Sequence, residues 1–271
     1  MKVDVDVRNN VKLSGHGQIP MIFAHGFGCD QNMWRFVAPA FEDRFKVVLF
    51  DYVGCGKSDI TAYRVDRYSS LEGYARDVVE IAEAHDMRNI IFVGHSVSSM
   101  IGVLAAKMAP ERFAQLILLG PSACYIDAPP NYRGGFSRAD LEGLLELMEK
   151  NYVGWASFLA PIVMKNDDQP ALQKELATSF CAADPAIARR FAAVTFLSDN
   201  RADLKGIHQP SLIVQCSDDA IAPASAIEFV HQQLLGSTLR TLAVNGHCPH
   251  MTHPKETIAV IDDYLAASHL P

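Results

Sequence analysis

The chain has 271 residues, 49% of them apolar and 20% charged, and a formal net charge of −7. That length suits one large α/β domain with an insertion, or two small domains, around a sizeable core. The acidic balance and the absence of any Lys/Arg run argue against nucleic acid and anionic membranes as partners; no stretch reaches the ~18 apolar residues of a bilayer span, and Met1-Lys2-Val3-Asp4-Val5-Asp6 lacks the apolar core of a signal peptide.

Short apolar runs at Pro20–Ala24, Lys46–Phe50, Asn89–Val93 and Gln115–Leu119 read as buried strands. Between the second and third, Leu71, Tyr74, Ala75, Val78, Ile81 and Ala82 recur at helical spacing, with Ser69 as the expected N-cap. Strands alternating with helices imply a parallel sheet covered on both faces. From Ala123 to Asn200 the alternation stops. A turn-rich start (Asp127-Ala128-Pro129-Pro130, then Gly134-Gly135) leads into helical stretches: Leu141, Leu144, Leu145 and Met148 form one apolar stripe, and Pro170 and Asp184-Pro185 open two further helices. Alternation returns with strands at Ser211–Cys216 and Leu239–Val244 and helices from Pro223 and Pro254. The expected architecture is an α/β core formed by residues 1–122 and 201–271, with a helical insertion over 123–200. The six cysteines are scattered without a Cys-x-x-Cys pair, which suggests reduced thiols in a cytoplasmic protein.

The most informative segment is Ile90-Ile91-Phe92-Val93-Gly94-His95-Ser96-Val97-Ser98, an apolar strand that turns abruptly at a serine into a helix of small residues. This is the layout of a nucleophile elbow, which pushes the serine hydroxyl out of the sheet and aims a helix N-terminus at whatever it attacks. Ser98 stands where the second glycine of G-x-S-x-G is expected. A serine nucleophile needs a base, and the base needs an orienting acid, in the chain order Ser, Asp or Glu, His. Cys216-Ser217-Asp218-Asp219 closes one strand and Val244-Asn245-Gly246-His247 the next, so the triad is read as Ser96, Asp219 and His247. Asp219 is preferred to Asp218 because it lies further into the loop. The rival acid position holds Gly120-Pro121-Ser122, with no carboxylate. An oxyanion hole needs two backbone N–H donors; Val97 supplies one, and Phe27, in His25-Gly26-Phe27-Gly28 directly after a strand, is placed for the other.

Three features point elsewhere and fall short. Gly54-Cys55-Gly56-Lys57-Ser58 ends like a phosphate-binding loop, but its first glycine would be position 51, which is Asp51. His247, His250 and His253 suggest a metal, yet Pro249 and Pro254 break the register and no acid completes the set, so no metal is expected. Cys248, beside the base, reads as a packed thiol.

Ser96, Asp219 and His247, with His25-Gly26-Phe27-Gly28 and Asp51-Tyr52-Val53-Gly54-Cys55-Gly56-Lys57-Ser58-Asp59, resemble the α/β-hydrolase superfamily over essentially the whole chain. Phe27-Gly28-Cys29-Asp30-Gln31, Met148-Glu149-Lys150-Asn151-Tyr152 and Gly246-His247-Cys248-Pro249-His250 are similar to the RsbQ-type regulators of the sigma-B stress response. The Gly94-His95-Ser96-Val97-Ser98 elbow is similar to that of plant karrikin and strigolactone receptors. The resemblance implies an α/β-hydrolase fold with a V-shaped lid of four helices and no cofactor. It implies an apolar pocket between lid and core for a small ester or lactone, with Phe27, Phe136 and Phe196 as candidate lining residues and Trp155 and Leu159 as weaker ones.

Two functions follow from the sequence. One is a serine esterase acting on a small apolar ester or lactone; the other is a ligand-sensing regulator in which hydrolysis is secondary and the RsbQ resemblance implies a phosphatase partner. Haloperoxidase and carbon–carbon hydrolase chemistry use similar triads, whereas dehalogenation is disfavoured by a serine at position 96.

Overall fold

In the computed structural model, residues 4–268 are described. Met1-Lys2-Val3, part of the segment read as lacking a signal peptide, lies outside them. The central strands are apolar on both faces because both faces are covered: β2 (Pro20–Ala24) and β4 (Ile90–His95) are buried at every position. Together with β1 (Lys12–Ser14), β3 (Lys46–Leu49), β5 (Phe113–Leu119), β6 (Ser211–Asp218) and β7 (Thr238–Asn245) they make a seven-stranded sheet in the order β1-β3-β2-β4-β5-β6-β7. Only β1 runs antiparallel to its neighbour. The sequence reading missed β1, whose three residues are all exposed, and the one-turn helix α1 (Val5–Arg8).

One face of the sheet carries α2 (Leu71–Ala84) and α3 (Val97–Met108), with α8 (Ala224–Gln233) packed in the same apolar cluster. The cluster on the other face takes in α10 (Pro254–Ala267) and the short α9 (Pro249–Thr252). The N-cap of α2 is Ser70, not Ser69; Ser69 Oγ donates to the Asp66 carbonyl in the preceding turn. Between β5 and β6 lie four helices, α4 (Arg138–Lys150), α5 (Tyr152–Met164), α6 (Pro170–Phe180) and α7 (Pro185–Phe196). Their boundaries follow from local chemistry. Ser137 and Asp140 close a capping box on α4, Asp184 caps α7, and Pro170 and Pro185 occupy first-turn positions.

The loop after β3, whose glycines and lysine resembled a phosphate site, is organised by the buried Asp51. Its carboxylate accepts from the backbone N–H of Gln31 (2.8 Å) and Lys57 (2.9 Å) and from Asn10 Nδ2 (2.7 Å). A Cβ on Gly56 would stand 2.5 Å from that carboxyl, and Gly56 has φ +53°, so glycine is required there for closure around Asp51. Asp51 thereby joins the loops after β2 and β3 at the carboxyl end of the sheet. Replacing it with alanine strands two backbone donors and a side-chain amide. Asp51→Ala is expected to lower unfolding free energy by about 3 kcal/mol, a fall in melting temperature of roughly 6–12 °C by calorimetry.

Candidate active site

Ser96 sits between β4 and α3 with φ +56° and ψ −123°, a conformation that costs a non-glycine residue roughly 1–3 kcal/mol. The turn closes because its neighbours are small. A Cβ on Gly94 would stand 2.6 Å from the Ser98 carbonyl, and one on Gly102 would stand 2.3 Å from the Phe92 ring. Position 98 tolerates a side chain: Ser98 Oγ donates to the His25 carbonyl at 2.5 Å and lies 2.8 Å from Tyr52 Oη. The departure from G-x-S-x-G is thus a cross-brace between α3 and the loop after β2.

His247 and Asp219 follow β7 and β6 at the same end of the sheet. His247 Nδ1 bonds to Asp219 Oδ2 at 2.7 Å, and both side chains are almost wholly buried. Asp219 Oδ1 accepts from the Ile221 (2.8 Å) and Ala222 (3.1 Å) N–H groups. Burial works to raise the Asp219 pKa, but His247 and these hydrogen bonds together outweigh it and hold the carboxyl below its ordinary range. Asp218 is exposed and pairs with Lys165 at 2.5 Å, as a solvated carboxylate. A Cβ at Gly120 (φ +58°) would come within 2.9 Å of His247 Cε1, so there is no room there for an acid.

Ser96 and His247 line one cavity of about 30 Å³, with Phe27, Leu159, Val163, Phe180 and Phe196 among the apolar residues around it. His247 Nε2 is buried there with no hydrogen-bond partner among the described residues. The Val97 N–H at the first turn of α3 and the Phe27 N–H likewise carry no bond among the described residues, whereas Gly26 N–H is occupied by Met33 Sδ at 3.4 Å. Two residues expected in the lining are not in it. Trp155 stands behind it, its ring 6.0 Å from Phe27 and 5.1 Å from Phe180. Phe136 pairs through its backbone with the Tyr125–Asp127 segment, outside the cavity. Sequence reasoning missed Tyr125, buried in the loop after β5 with Oη 3.5 Å from Ser96 Oγ; burial pushes its phenol up to about 12. It also missed Cys29 and Leu176, which line both the cavity and an adjoining surface groove of about 470 Å³. Spacing along the sequence carries no signal for these, since each approaches from a different element.

Three further histidines are buried around the site. His95 Nε2 bonds to the His247 carbonyl at 2.8 Å, its ring is 4.4 Å from that of His250, and His250 lies 4.6 Å from Trp34. His25 Nε2 accepts from the Tyr52 N–H at 3.2 Å. Burial lowers all three pKa values, that of His95 to about 3, with His247 depressing it further. Below pH ~6.5 the unfolded chain protonates these rings while the native protein does not, so stability is present above that pH and is lost as pH falls. His95 contributes a slope of about 1.4 kcal/mol per pH unit between ~6.5 and its folded value, and His25 and His250 act in the same direction. Urea midpoints at pH 7.5, 6.0 and 5.0 should fall steeply, and His250→Phe should flatten that fall.

The profile of the alpha/beta hydrolase family matches residues 21–260. A karrikin insensitive 2 receptor of Petunia hybrida is 37% identical over 95% of both chains, and a strigolactone esterase of Arabidopsis thaliana is 34% identical over 91% of this chain and 92% of its own. Among solved structures, a hydrolase from Oleispira antarctica superposes with a TM-score of 0.95 at 44% identity, covering 98% of this chain and 97% of that one. No helix among the described residues is long and apolar enough to cross a membrane. With the sheet order, the elbow at Ser96 and these matches in agreement, the chain belongs to the alpha/beta hydrolase family.

Proposed function

We propose that the protein is a serine hydrolase of small, largely apolar esters or lactones, with Ser96, His247 and Asp219 as its triad. The carrying observation is the polarity of His247: its Nδ1 is bonded to a buried carboxylate, while its Nε2 is unpartnered at the cavity that Ser96 lines. His247 Nε2 takes the Ser96 proton as Oγ attacks the substrate carbonyl carbon, and Asp219 stabilises the imidazolium that forms. The Val97 and Phe27 N–H groups hold the oxyanion of the tetrahedral intermediate. Its collapse breaks the ester C–O bond, and His247 returns the proton to the leaving alcohol. Water, deprotonated by the same histidine, then releases the acid from Ser96.

The apolar lining selects substrates by shape and carbon surface. A cavity of about 30 Å³ leaves little free space beside Ser96, which makes movement of the four-helix layer a requirement of this reading. That requirement favours a second reading, in which ligand arrival is itself the signal and turnover is slow. It accords with receptors among the relatives and with the expected phosphatase-type partner. Rapid turnover of a metabolite together with failure to recover a partner would count against it.

Ser96→Ala is expected to abolish hydrolysis of p-nitrophenyl acetate, and Asp219→Asn to lower kcat by roughly 10⁴ by leaving His247 in the wrong tautomer. Mass spectrometry after incubation with an ester and butenolide panel should find the covalent adduct on Ser96 or His247 in the native protein. Undiminished turnover by Ser96→Ala would rule out the triad.

A further inference from the structure

The loop that carries His247 is hydrogen-bonded to the end of α5 in the helical layer. Helix α5 ends at Met164, so its last carbonyls have no intrahelical partner. One of them is taken up by the loop and another by the side chain of Asn166, just beyond the helix end. The His247 N–H donates to the Val163 carbonyl at 2.8 Å, and Asn166 Nδ2 donates both to the Met164 carbonyl (2.6 Å) and to the Asn245 carbonyl at the end of β7 (3.0 Å). Asn166 is 7% exposed, and between its two acceptors runs the peptide that leads to His247. Gly246 makes the approach possible, since a Cβ there would stand 2.0 Å from the Met164 carbonyl oxygen. On the far side His95 Nε2 holds the His247 carbonyl, so the main chain of the base is gripped by α5 on one side and the elbow on the other.

We propose that Asn166 is a positioning residue for His247: it ties the C-terminal end of α5 to the base-bearing loop, so that the seating of this helix sets the alignment of His247 toward Ser96. The proposal rests on the triad reading above. The His247 peptide is one of the groups that terminate α5, and a shift of the helix end must either break these bonds or carry the loop with it. Because Val163 also lines the cavity, a ligand that displaces this part of the helical layer acts on the base through the same bonds. Misplacement of a catalytic group by about 1 Å can cost two orders of magnitude in rate, so a weakened tie is visible in turnover without any change in the groups that touch substrate.

The test uses Asn166→Ala and Asn166→Ser, the latter keeping a donor, on p-nitrophenyl acetate. Expected are a roughly tenfold loss of kcat in the alanine variant, a smaller loss in the serine variant, and KM within about twofold of the native value in both. Hydrogen exchange of the His247 amide should accelerate at least about tenfold in Asn166→Ala while β4 amides keep their protection. Native kcat and native His247 exchange in the variants, or a loss carried by KM alone, would overturn the proposal; if the alanine variant fails to fold, the serine variant decides by the same readouts. Accelerated exchange alongside a Ser96→Ala protein that still turns over ester would overturn the triad and leave the tie standing. Unchanged exchange alongside an inactive Ser96→Ala protein would do the reverse.

Discussion

The constraint on which this site depends is the burial of polar groups beneath an apolar helical layer. Loops after β2, β3, β4, β6 and β7 converge at the carboxyl end of the sheet, and the four helices between β5 and β6 are placed over them. Each buried donor or acceptor there must find a partner or cost about 1–3 kcal/mol. Most do. Asp51 gathers three donors, Ser98 bridges the His25 carbonyl and Tyr52, and Asp219 takes two backbone N–H groups and His247. Among those that do not are His95 Nδ1, both ring nitrogens of His250, Thr195 Oγ1 and His247 Nε2; what sets His247 apart is the carboxylate bonded to the other nitrogen of its ring, at the cavity that Ser96 lines. The same covering explains the neutral state of His25, His95 and His250, since burial disfavours the charged imidazole.

Much of this was legible in the sequence, for a physical reason. In a parallel sheet each strand delivers its following loop to the same edge, so a serine after one strand, an acid after another and a histidine after a third are brought together by topology. Chain order alone therefore pointed to Ser96, Asp219 and His247. Choosing Asp219 over Asp218 required only that β6 run on to Asp218, which leaves the next residue to turn inward. What was illegible depends on contacts between elements. The resemblance made Trp155 a candidate for the lining, but nothing in the sequence shows that Phe27 and Phe180 pack against its ring while it stays outside the cavity. Strand β1 escaped notice because a short, fully exposed edge carries no apolar alternation, and Tyr125 because a loop residue has no periodicity at all.

The departure at Ser98 shows how a motif can be misread as a list of residue types. Small size within the elbow is demanded at Gly94, where the Ser98 carbonyl leaves no room, and at Gly102, against Phe92. At position 98 the demand is only that the side chain be short and satisfied. A glycine there would leave Tyr52 Oη and the His25 carbonyl without the hydroxyl that now joins them. The serine thus ties α3, the helix that follows Ser96, to the loop that carries Phe27, the two segments whose N–H groups the proposed oxyanion hole would use.

The cavity itself is closed by aromatic contact. Gly28 has φ +70°, and a Cβ there would lie 2.3 Å from the Phe180 ring, so this ring rests directly on the backbone beside Phe27. Phe27 in turn touches Trp155, Phe180, Phe191 and Phe196 at centroid distances of 5.6–6.1 Å. Such contacts are worth individually about 0.5–1.5 kcal/mol and together favour the closed form. Under the proposed function, a ligand that parts these rings has to supply apolar surface in exchange. The rings belong to α5, α6 and α7, while the His247 loop is bonded to the end of α5 through the Val163 carbonyl and Asn166. The helix whose Trp155 packs on Phe27 is therefore also the helix whose end holds the His247 peptide, so under the proposed function a displacement of α5 bears on the cavity and on His247 together.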